Sequence, residues 1–297
     1  MASTFFGLHI GSSALSSFQV ATNTTANNIA NVKTTGYTRQ EATLQAKDAI
    51  NVTARYGSVG TGVTVTSIKQ QRDLYYDNKY WENNSCYGRY EQKLYYMEQI
   101  QNYFKDNGSS VKGFSSVFSQ MFSDLDTLRS KPSDKTVRNQ FISSAQSLCT
   151  YFNQMSDNLS KLQDDCNEEI RNNVDKINSI SEKISLLNKE INQIETGTGV
   201  EAGSLRDERA NLIDSLSKIV NVSYNETEVQ NTNGDNLGGT NFSLYINGEK
   251  VVEGKDYRKL ICESSKTKNN QTDSGEYINR QYKITQSAGQ GRQNHCK

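Results

Sequence analysis

The sequence lacks several features on which common protein classes depend. It contains a single proline, Pro132, in 297 residues. Long helices are therefore allowed on both sides of it, because proline interrupts a helix interior. No run of 18 or more apolar residues occurs, and the first 30 residues contain neither a basic leader nor an apolar signal-peptide core. The sequence thus predicts neither a membrane-spanning helix nor ordinary secretion, which leaves the cytosol or a leaderless export route.

Residue types that carry catalysis or bind metals are also sparse. The two histidines, His9 and His295, lie at opposite ends of the chain, so a Ser/His/Asp or Cys/His site lacks its base. The cysteines are odd in number, scattered and without a Cys-x-x-Cys pair, so they describe neither a disulfide framework nor a zinc site. They are Cys86, Cys149, Cys166, Cys262 and Cys296. We therefore expect no enzyme activity, no cofactor and no metal.

The chain has no excess of positive or negative charge, and it has few apolar residues. The 33 basic residues balance the 33 acidic ones, so we expect neither nucleic acid nor an anionic membrane surface as a partner. Only 34% of the residues are hydrophobic, which suits narrow helical seams better than a thick globular core. The composition predicts an elongated, mainly α-helical protein and leaves assembly with other proteins open.

The first 35 residues predict a helix with one thin apolar seam. The seam positions advance by three or four residues, as one face of a helix requires. They are Leu8, Gly11, Leu15, Phe18, Thr22, Thr25, Ile29 and Val32. Three of these are Gly or Thr, so the seam buries too little apolar area to hold the helix alone. We expect this helix, capped by Ser3 or Thr4, to be ordered only against a partner helix.

The rest of the chain alternates between β-like and helical patterns. Gly57, Gly60 and Gly62 among β-branched residues predict a hairpin or extended connector, and the turn Asn247-Gly248 predicts a second hairpin. The resulting division is a helix over 1–35, a connector over 36–71, a long-helix bundle over 72–219, an incomplete β-rich module over 220–285 and a disordered tail over 286–297. The predicted fold class is mainly α, an elongated long-helix bundle or coiled coil with a β-hairpin connector and a small β-rich module.

Within the bundle, two stripes and one charge cluster stand out. An aromatic-rich stripe between Tyr87 and Phe104 is interpreted as core packing. Apolar residues from Leu159 to Ile194 recur every 3.5 residues, which is a coiled-coil repeat that requires a neighbour. The cluster Arg206-Asp207-Glu208-Arg209 could perform acid-base work if its pKa values were pushed apart, but exposed ion pairs at a helix start are the commoner arrangement.

Several motifs resemble those of a known family. Ala14-Leu15, Asn27-Asn28-Ile29-Ala30-Asn31 and Thr35-Gly36-Tyr37-Thr38-Arg39-Gln40 resemble the N-terminal signature of flagellar rod, hook and hook-associated proteins. Gly-Tyr-Thr-Arg-Gln is similar to the hook-associated protein 1 subfamily, which forms the hook-filament junction. Gly60-Thr61-Gly62-Val63-Thr64-Val65 and Leu205-Arg206-Asp207-Glu208-Arg209 agree with it, in the family's order over roughly residues 1–250.

The resemblance implies a structural subunit that joins hook to filament in the bacterial flagellum. It implies self-association in a ring, contacts with hook subunits and with the next junction protein, and export through the flagellar apparatus with an uncleaved N-terminal signal. In the family, the N-terminal helix pairs with a C-terminal helix in the inner tube. We expect this chain to be a truncated copy that lacks the C-terminal helices and therefore also the region that binds the export chaperone.

The residues expected to mediate subunit interaction include two seam positions of the first helix, and the others lie at the transition from this helix to the connector. They are Leu15, Phe18, Asn27, Asn28, Ile29, Ala30, Asn31, Gly36, Tyr37 and Arg39. Asn and Gly are expected to adopt left-handed backbone conformations, and Tyr37 and Arg39 to bond across subunits. Three other interpretations remain: residues that merely cap a helix, a distal rod or hook subunit, and a coiled-coil binding protein unrelated to flagella.

Overall fold

The structure, a computed structural model, describes residues 5–51, 57–106, 113–230, 232, 234, 236–267 and 279–288. The helices of this part are α1 (Phe6–Ala30), α2 (Leu74–Tyr103), α3 (Phe114–Ser130), α4 (Lys135–Glu195) and α5 (Gly203–Ser217). The strands are β1 (Gln40–Ala46), β2 (Ile50–Asn51), β3 (Ser58–Val59), β4 (Val63–Gln70), β5 (Val222–Gln230), β6 (Asn236–Ile246), β7 (Glu249–Glu253), β8 (Asp256–Thr267) and β9 (Asn279–Ala288). The chain divides into two compact units, residues 1–86 with 176–297 and residues 87–175.

The single proline separates α3 from α4. The backbone NH of Thr136 donates to Asp134 Oδ1 at 2.8 Å, so Asp134 caps the start of α4. From there α4 runs 61 residues without interruption. The predicted coiled-coil seam is therefore one part of a much longer helix.

The connector after α1 consists of two short antiparallel ladders. β1 pairs with β4, and Gln40 faces Gln70 at one end of the ladder. The register shifts between Thr43 and Leu44, which marks a β-bulge. β2 pairs with β3 in a ladder of two residue pairs.

The second half of the first unit is an antiparallel sheet in the order β5-β6-β7-β8-β9. Asn247 and Gly248 both have positive φ, 50° and 87°, and they form the predicted tight turn between β6 and β7. The core of this unit contains apolar side chains of β5 to β7, α4 and α5 that are at most 8% exposed. They are Val222, Phe242, Leu244, Ile246, Val251, Val252, Ile177, Ile184, Leu187, Ile191, Ile213 and Leu216.

Asparagines of α4 attach this helix to the backbone of the sheet. Asn178 Nδ2 donates to the Leu260 carbonyl at 2.9 Å, and its Oδ1 accepts from the Leu260 NH at 2.8 Å. Asn188 Nδ2 donates to the Gly254 carbonyl at 2.9 Å. The interface between helix and sheet is thus partly polar, and its hydrogen bonds go to main-chain atoms.

The mainly α fold with a β-hairpin connector and a small β-rich module is confirmed. The coiled-coil seam of α4 is buried at Val174 and Ile177 but half exposed at Ile170 and Ile194. Its buried side packs on strands as well as helices, which a repeat pattern cannot specify.

The interpretation of the aromatic stripe as core is wrong. Tyr87 and Tyr90 are 60% and 63% exposed. The opposite, polar side of α2 packs instead: Gln92 Nε2 donates to both Glu169 carboxylate oxygens at 2.7 Å, and Tyr96 OH also donates to Glu169. The apolar side of this helix therefore faces outward.

Candidate functional site

The first helix has the same inverted distribution of polar and apolar residues. Its packed face has mostly small side chains, of which Ser17 and Thr24 are buried. Ser17 Oγ donates to the Val63 carbonyl of β4 at 3.2 Å. A Cβ added at Gly62 would lie 2.2 Å from Ser13 Oγ. The strand and the helix therefore approach each other closely, which only small residues allow.

The predicted apolar seam lies on the other side of α1 and is exposed. Its large side chains are 59–77% exposed: Leu8, Leu15, Phe18, Ile29 and Val32. Hydrophobic surface of this kind, repeated along a whole helix, is typical of an interface that another chain segment covers. Of the predicted interaction residues, Leu15, Phe18 and Ile29 belong to this exposed seam.

Asn28 joins the end of α1 to the start of β1. Its Nδ2 donates to the Gln40 carbonyl at 2.8 Å, and its Oδ1 accepts from the Gln40 NH at 2.9 Å. Tyr37 OH donates to the same Oδ1 at 2.8 Å. The amide thus pairs with the Gln40 backbone as a neighbouring strand would.

The other asparagines of the signature end the helix. Asn31 Nδ2 donates to the Asn27 carbonyl and to Asn27 Oδ1, both at 3.0 Å. Thr34 Oγ1 donates to Asn31 Oδ1 at 3.1 Å. Ala30 is exposed at the last residue of the helix. The left-handed backbone expected at these asparagines is not adopted, since they act through side-chain hydrogen bonds instead.

Gly36 does have the expected left-handed conformation, with φ of 78°. A Cβ at this position would lie 1.7 Å from Asn211 Oδ1 of α5, so glycine is required here for space as well as for φ. Next to it, desolvation, with the negative charge of Asp207, raises the pKa of Tyr37. Arg39 remains 71% exposed and lies 3.7 Å from Glu41. Tyr37 is thus bonded inside its own chain, whereas Arg39 is available to a neighbour.

Apart from the exposed Glu208, the charge cluster at the start of α5 is buried or partly buried, and the expectation of exposed ion pairs is wrong. Asp207 and Arg209 are 8% and 5% exposed. Arg206 Nε and Nη2 donate to the two carboxylate oxygens of Glu195 at 2.7 Å. Arg206 Nη1 and Arg209 Nη2 each donate to Glu226 Oε1 at 3.1 Å. These partners lie on α4 and β5, which local sequence spacing cannot bring together.

The pKa values in this network follow from burial and pairing. Burial alone would raise the pKa of Glu226, but Arg209, Arg206 and a hydrogen bond from Thr240 together lower it. Burial would lower the pKa of Arg206, yet its carboxylate partners raise it. Burial does lower the pKa of Arg209. The two arginines thus hold Glu226 in its charged form, which favours a structural role for the cluster.

Sequence reasoning missed the residues that attach the signature to α5. Gln70 Nε2 donates to the Gly203 carbonyl at 2.9 Å and to Asp207 Oδ1 at 2.8 Å. The Gln70 backbone NH donates to Glu201 Oε2 at 3.0 Å. Glutamine in a polar strand gives no sequence signal, although Asp207 belongs to a motif that the family resemblance contains.

No cluster of three His, Cys, Asp or Glu side chains suited to a metal ion is found in the part of the chain that the structure describes. Within that part, no helix combines the length and apolarity that crossing a membrane requires. Among the described residues, Cys86, Cys149, Cys166 and Cys262 form no disulfide, while Cys296 and His295 lie outside the described residues.

Two known families match the sequence. Residues 97–292 match the family described as "Flagellar hook-associated protein FlgK helical domain". Residues 8–38, which include the signature, match "Flagella basal body rod protein". The two matches cover separate parts of the chain in the order expected for an N-terminal helix followed by a helical domain.

Individual relatives agree with these matches. Flagellar hook-associated protein 1 of Bacillus subtilis (strain 168) is 34% identical over 234 residues, which is 76% of this chain and 46% of that protein. The protein of the same name from Salmonella typhimurium is 32% identical over 256 residues, 84% of this chain and 43% of that protein. The chain spans less than half the length of the curated relatives that it matches.

A solved structure shares the fold. The flagellar hook junction protein FlgK from Burkholderia pseudomallei superposes with a TM-score of 0.54 at 20% identity, over 70% of this chain and 37% of that chain. At this identity the similarity concerns the fold alone. Because the helical-domain match covers more than half of the sequence and relatives above 30% identity cover most of it, this chain belongs to the flagellar hook-associated protein FlgK family.

Proposed function

We propose that this protein is a structural, non-enzymatic subunit of the bacterial flagellum that joins hook to filament. The exposed seam of α1 carries the proposal. The small polar face of this helix packs on the connector, whereas its apolar face is exposed. Such an exposed apolar face is typical of a surface that another chain segment covers. The names of the relatives, which are hook-associated proteins, agree with this role.

The seam contains enough apolar surface to support assembly. Full burial of a Leu, Ile, Val or Phe side chain contributes about 1.5–3 kcal/mol, and the five large seam residues are still about two-thirds exposed. Covering them therefore supplies roughly 5–10 kcal/mol before the cost of association. We propose that the segment of residues 1–35, which contains α1, belongs to the inner tube and that residues 36–71 connect it to the helical domain.

The partners in this proposal follow from the same role. They are further copies of the protein in a ring, hook subunits on one side and the next junction protein on the other, reached after export through the flagellar apparatus. A distal rod or hook subunit shares the match over residues 8–38. The helical-domain match over residues 97–292 favours the junction instead.

The test is to introduce seam substitutions into the chromosomal gene. Leu15→Asp places a carboxylate in the apolar seam, and Ser16→Asp places one at the exposed polar residue next to it, which points away from the seam. Export is measured in the culture medium and assembly on isolated hooks. We expect Leu15→Asp to reduce the hook-bound protein at least about tenfold, since loss of about 1.4 kcal/mol or more changes binding by that factor, while export and the Ser16→Asp control are unchanged.

Two results would contradict the proposal. If Leu15→Asp assembles on hooks as well as the unsubstituted protein, the seam of α1 contacts no neighbour. If the unsubstituted protein is absent from isolated hooks of motile cells, the subunit role itself is wrong.

A further inference from the structure

One face of α5 contacts the N-terminal part of the chain at four successive positions. Gly203, Asp207, Asn211 and Asp214 are spaced by four, four and three residues, so they lie on the same side of the helix. We call these four residues the docking strip.

The first contact is made by the cross-strand pair Gln40 and Gln70 of the connector. Gln70 binds both the Gly203 carbonyl and the Asp207 carboxylate through its side-chain amide. The Gln40 amide nitrogen lies 2.6 Å from the position that a Cβ at Gly203 would occupy. Both glutamines of the pair therefore meet the first turn of α5.

The other two positions of the docking strip bind residues on either side of the connector. Asn211 fills the space beside Gly36. Asp214 Oδ1 accepts from Trp81 Nε1 at 2.6 Å, and the Asp214 carbonyl accepts from Asn84 Nδ2 at 3.2 Å. The connector is thus held where it leaves α1, at the end of its ladder and where α2 begins.

The first helix depends on this attachment. Its buried contacts are small polar side chains against β4, such as Ser17 on Val63, and its end is tied to Gln40 by Asn28. Neither contact buries a large apolar side chain. The order of α1 therefore rests on the connector, and the order of the connector rests on the docking strip.

We propose that Gln70 and the docking strip form a latch that holds the connector and α1 on α5, and that can open while α4, α5 and the sheet stay folded. The elements that stay folded and the latch differ in their packing. The sheet and α4 share an apolar core that includes Ile184, Leu244 and Val252, each fully buried, whereas Gln70 is held on α5 by hydrogen bonds. This inference stands apart from the subunit role, because it concerns contacts within a single chain.

Hydrogen exchange measured by mass spectrometry on the purified chain tests the latch. Gln70→Ala removes both side-chain bonds to α5. Gln71→Ala is the matched control, since Gln71 donates instead to the exposed Glu41 carboxylate at 2.9 Å. We expect amides of residues 40–46 and 63–70 to exchange at least about tenfold faster in Gln70→Ala, because a hydrogen bond to a charged group is lost. Amides of residues 177–191 and 242–252 should keep their rates.

A second variant tests whether Gln70 and Asp207 hold the connector through the same interaction. Asp207→Ala should open the connector to a similar extent, and the double variant should exchange no more than about twofold faster than the faster single variant. Glu208→Ala, the exposed neighbour on α5, is the control.

The proposal would be overturned in either of two ways. In one, the connector amides of Gln70→Ala exchange no faster than those of Gln71→Ala, so the glutamine does not hold the connector. In the other, exchange accelerates equally in the connector, α4 and the sheet, so these elements open only together and no latch exists.

Discussion

Replacing Glu226 by glutamine removes the carboxylate that Arg206 and Arg209 share. Arg206 keeps its two bonds to Glu195. Arg209 keeps only the Asn188 amide oxygen at 3.0 Å and the face of Phe242, whose ring centre lies 4.0 Å from its guanidinium carbon. Breaking a buried ion pair costs about 3–5 kcal/mol, and we expect about 3 kcal/mol because glutamine keeps the shape and one acceptor.

The effect should depend on pH in a defined direction. The pKa of Glu226 is lowered from its ordinary value of 4.5, so its charged form is favoured by folding. The stability that this carboxylate contributes is present above the unfolded pKa and is lost as the pH falls through the folded pKa. The difference in unfolding free energy between the wild type and Glu226→Gln should therefore be constant from pH 7 to about pH 5 and should shrink below about pH 4.5.

Trp81 provides the assay, because it is the single tryptophan and lies beside this network. Its ring is 1% exposed and its centre is 5.3 Å from that of Tyr224. With a urea m-value of about 2 kcal/mol/M, a loss of about 3 kcal/mol lowers the midpoint of the Trp81 fluorescence transition by about 1.5 M. Glu228→Gln, an exposed position on the same strand, is the control. Equal midpoints for both variants at pH 7, or a difference that does not change at acid pH, would refute the reasoning.

Two further predictions concern α4. Asn178→Ala leaves the NH and the carbonyl of Leu260 without their side-chain partner and should lower the unfolding free energy by about 1–3 kcal/mol, measured by the Trp81 transition in urea. Ser179→Ala, at an exposed position, should have little effect. Equal midpoints for the two variants would mean that the hydrogen bonds of Asn178 to Leu260 contribute nothing. Leu187→Ala should lower the unfolding free energy by about 2–5 kcal/mol in the same assay because the side chain is buried. Leu186→Ala, at a neighbouring leucine that is 54% exposed, should lower it by under about 1 kcal/mol. Similar losses for both leucines would contradict the packing of α4.

The element types could be predicted from the sequence, because each depends on local patterns. The single proline and the periodic apolar residues indicate long helices, and Asn247-Gly248 indicates a hairpin. The uninterrupted length of α4 agrees with the absence of proline after Pro132 and with the apolar repeat from Leu159 to Ile194. The exposure of Tyr87 and Phe104 could not be predicted. Periodicity shows that a helix has an apolar face but not whether anything covers that face.

The candidate site was predicted in part. The seam residues and Gly36 were identified, the latter with the correct backbone conformation. The hydrogen bonds of Asn28 to Gln40, and of Gln70 to Asp207, depend on residues brought together by the fold, and glutamine leaves no periodic signal. The burial of Arg209 was missed for the same reason, because its partner Glu226 lies on a strand of another part of the chain.

The asparagines that bind main-chain atoms affect how this protein can change over evolutionary time. Asn28 and Asn178 each clamp both backbone groups of their target residue. Every amino acid except proline offers these two groups, so the targets, Gln40 and Leu260, can be substituted widely without loss of the bonds. Mutations can therefore accumulate along the strands while helix and strand keep their alignment. The clamp bonds themselves therefore constrain the asparagine and leave the identity of the strand residue to its other contacts, such as the burial of Leu260.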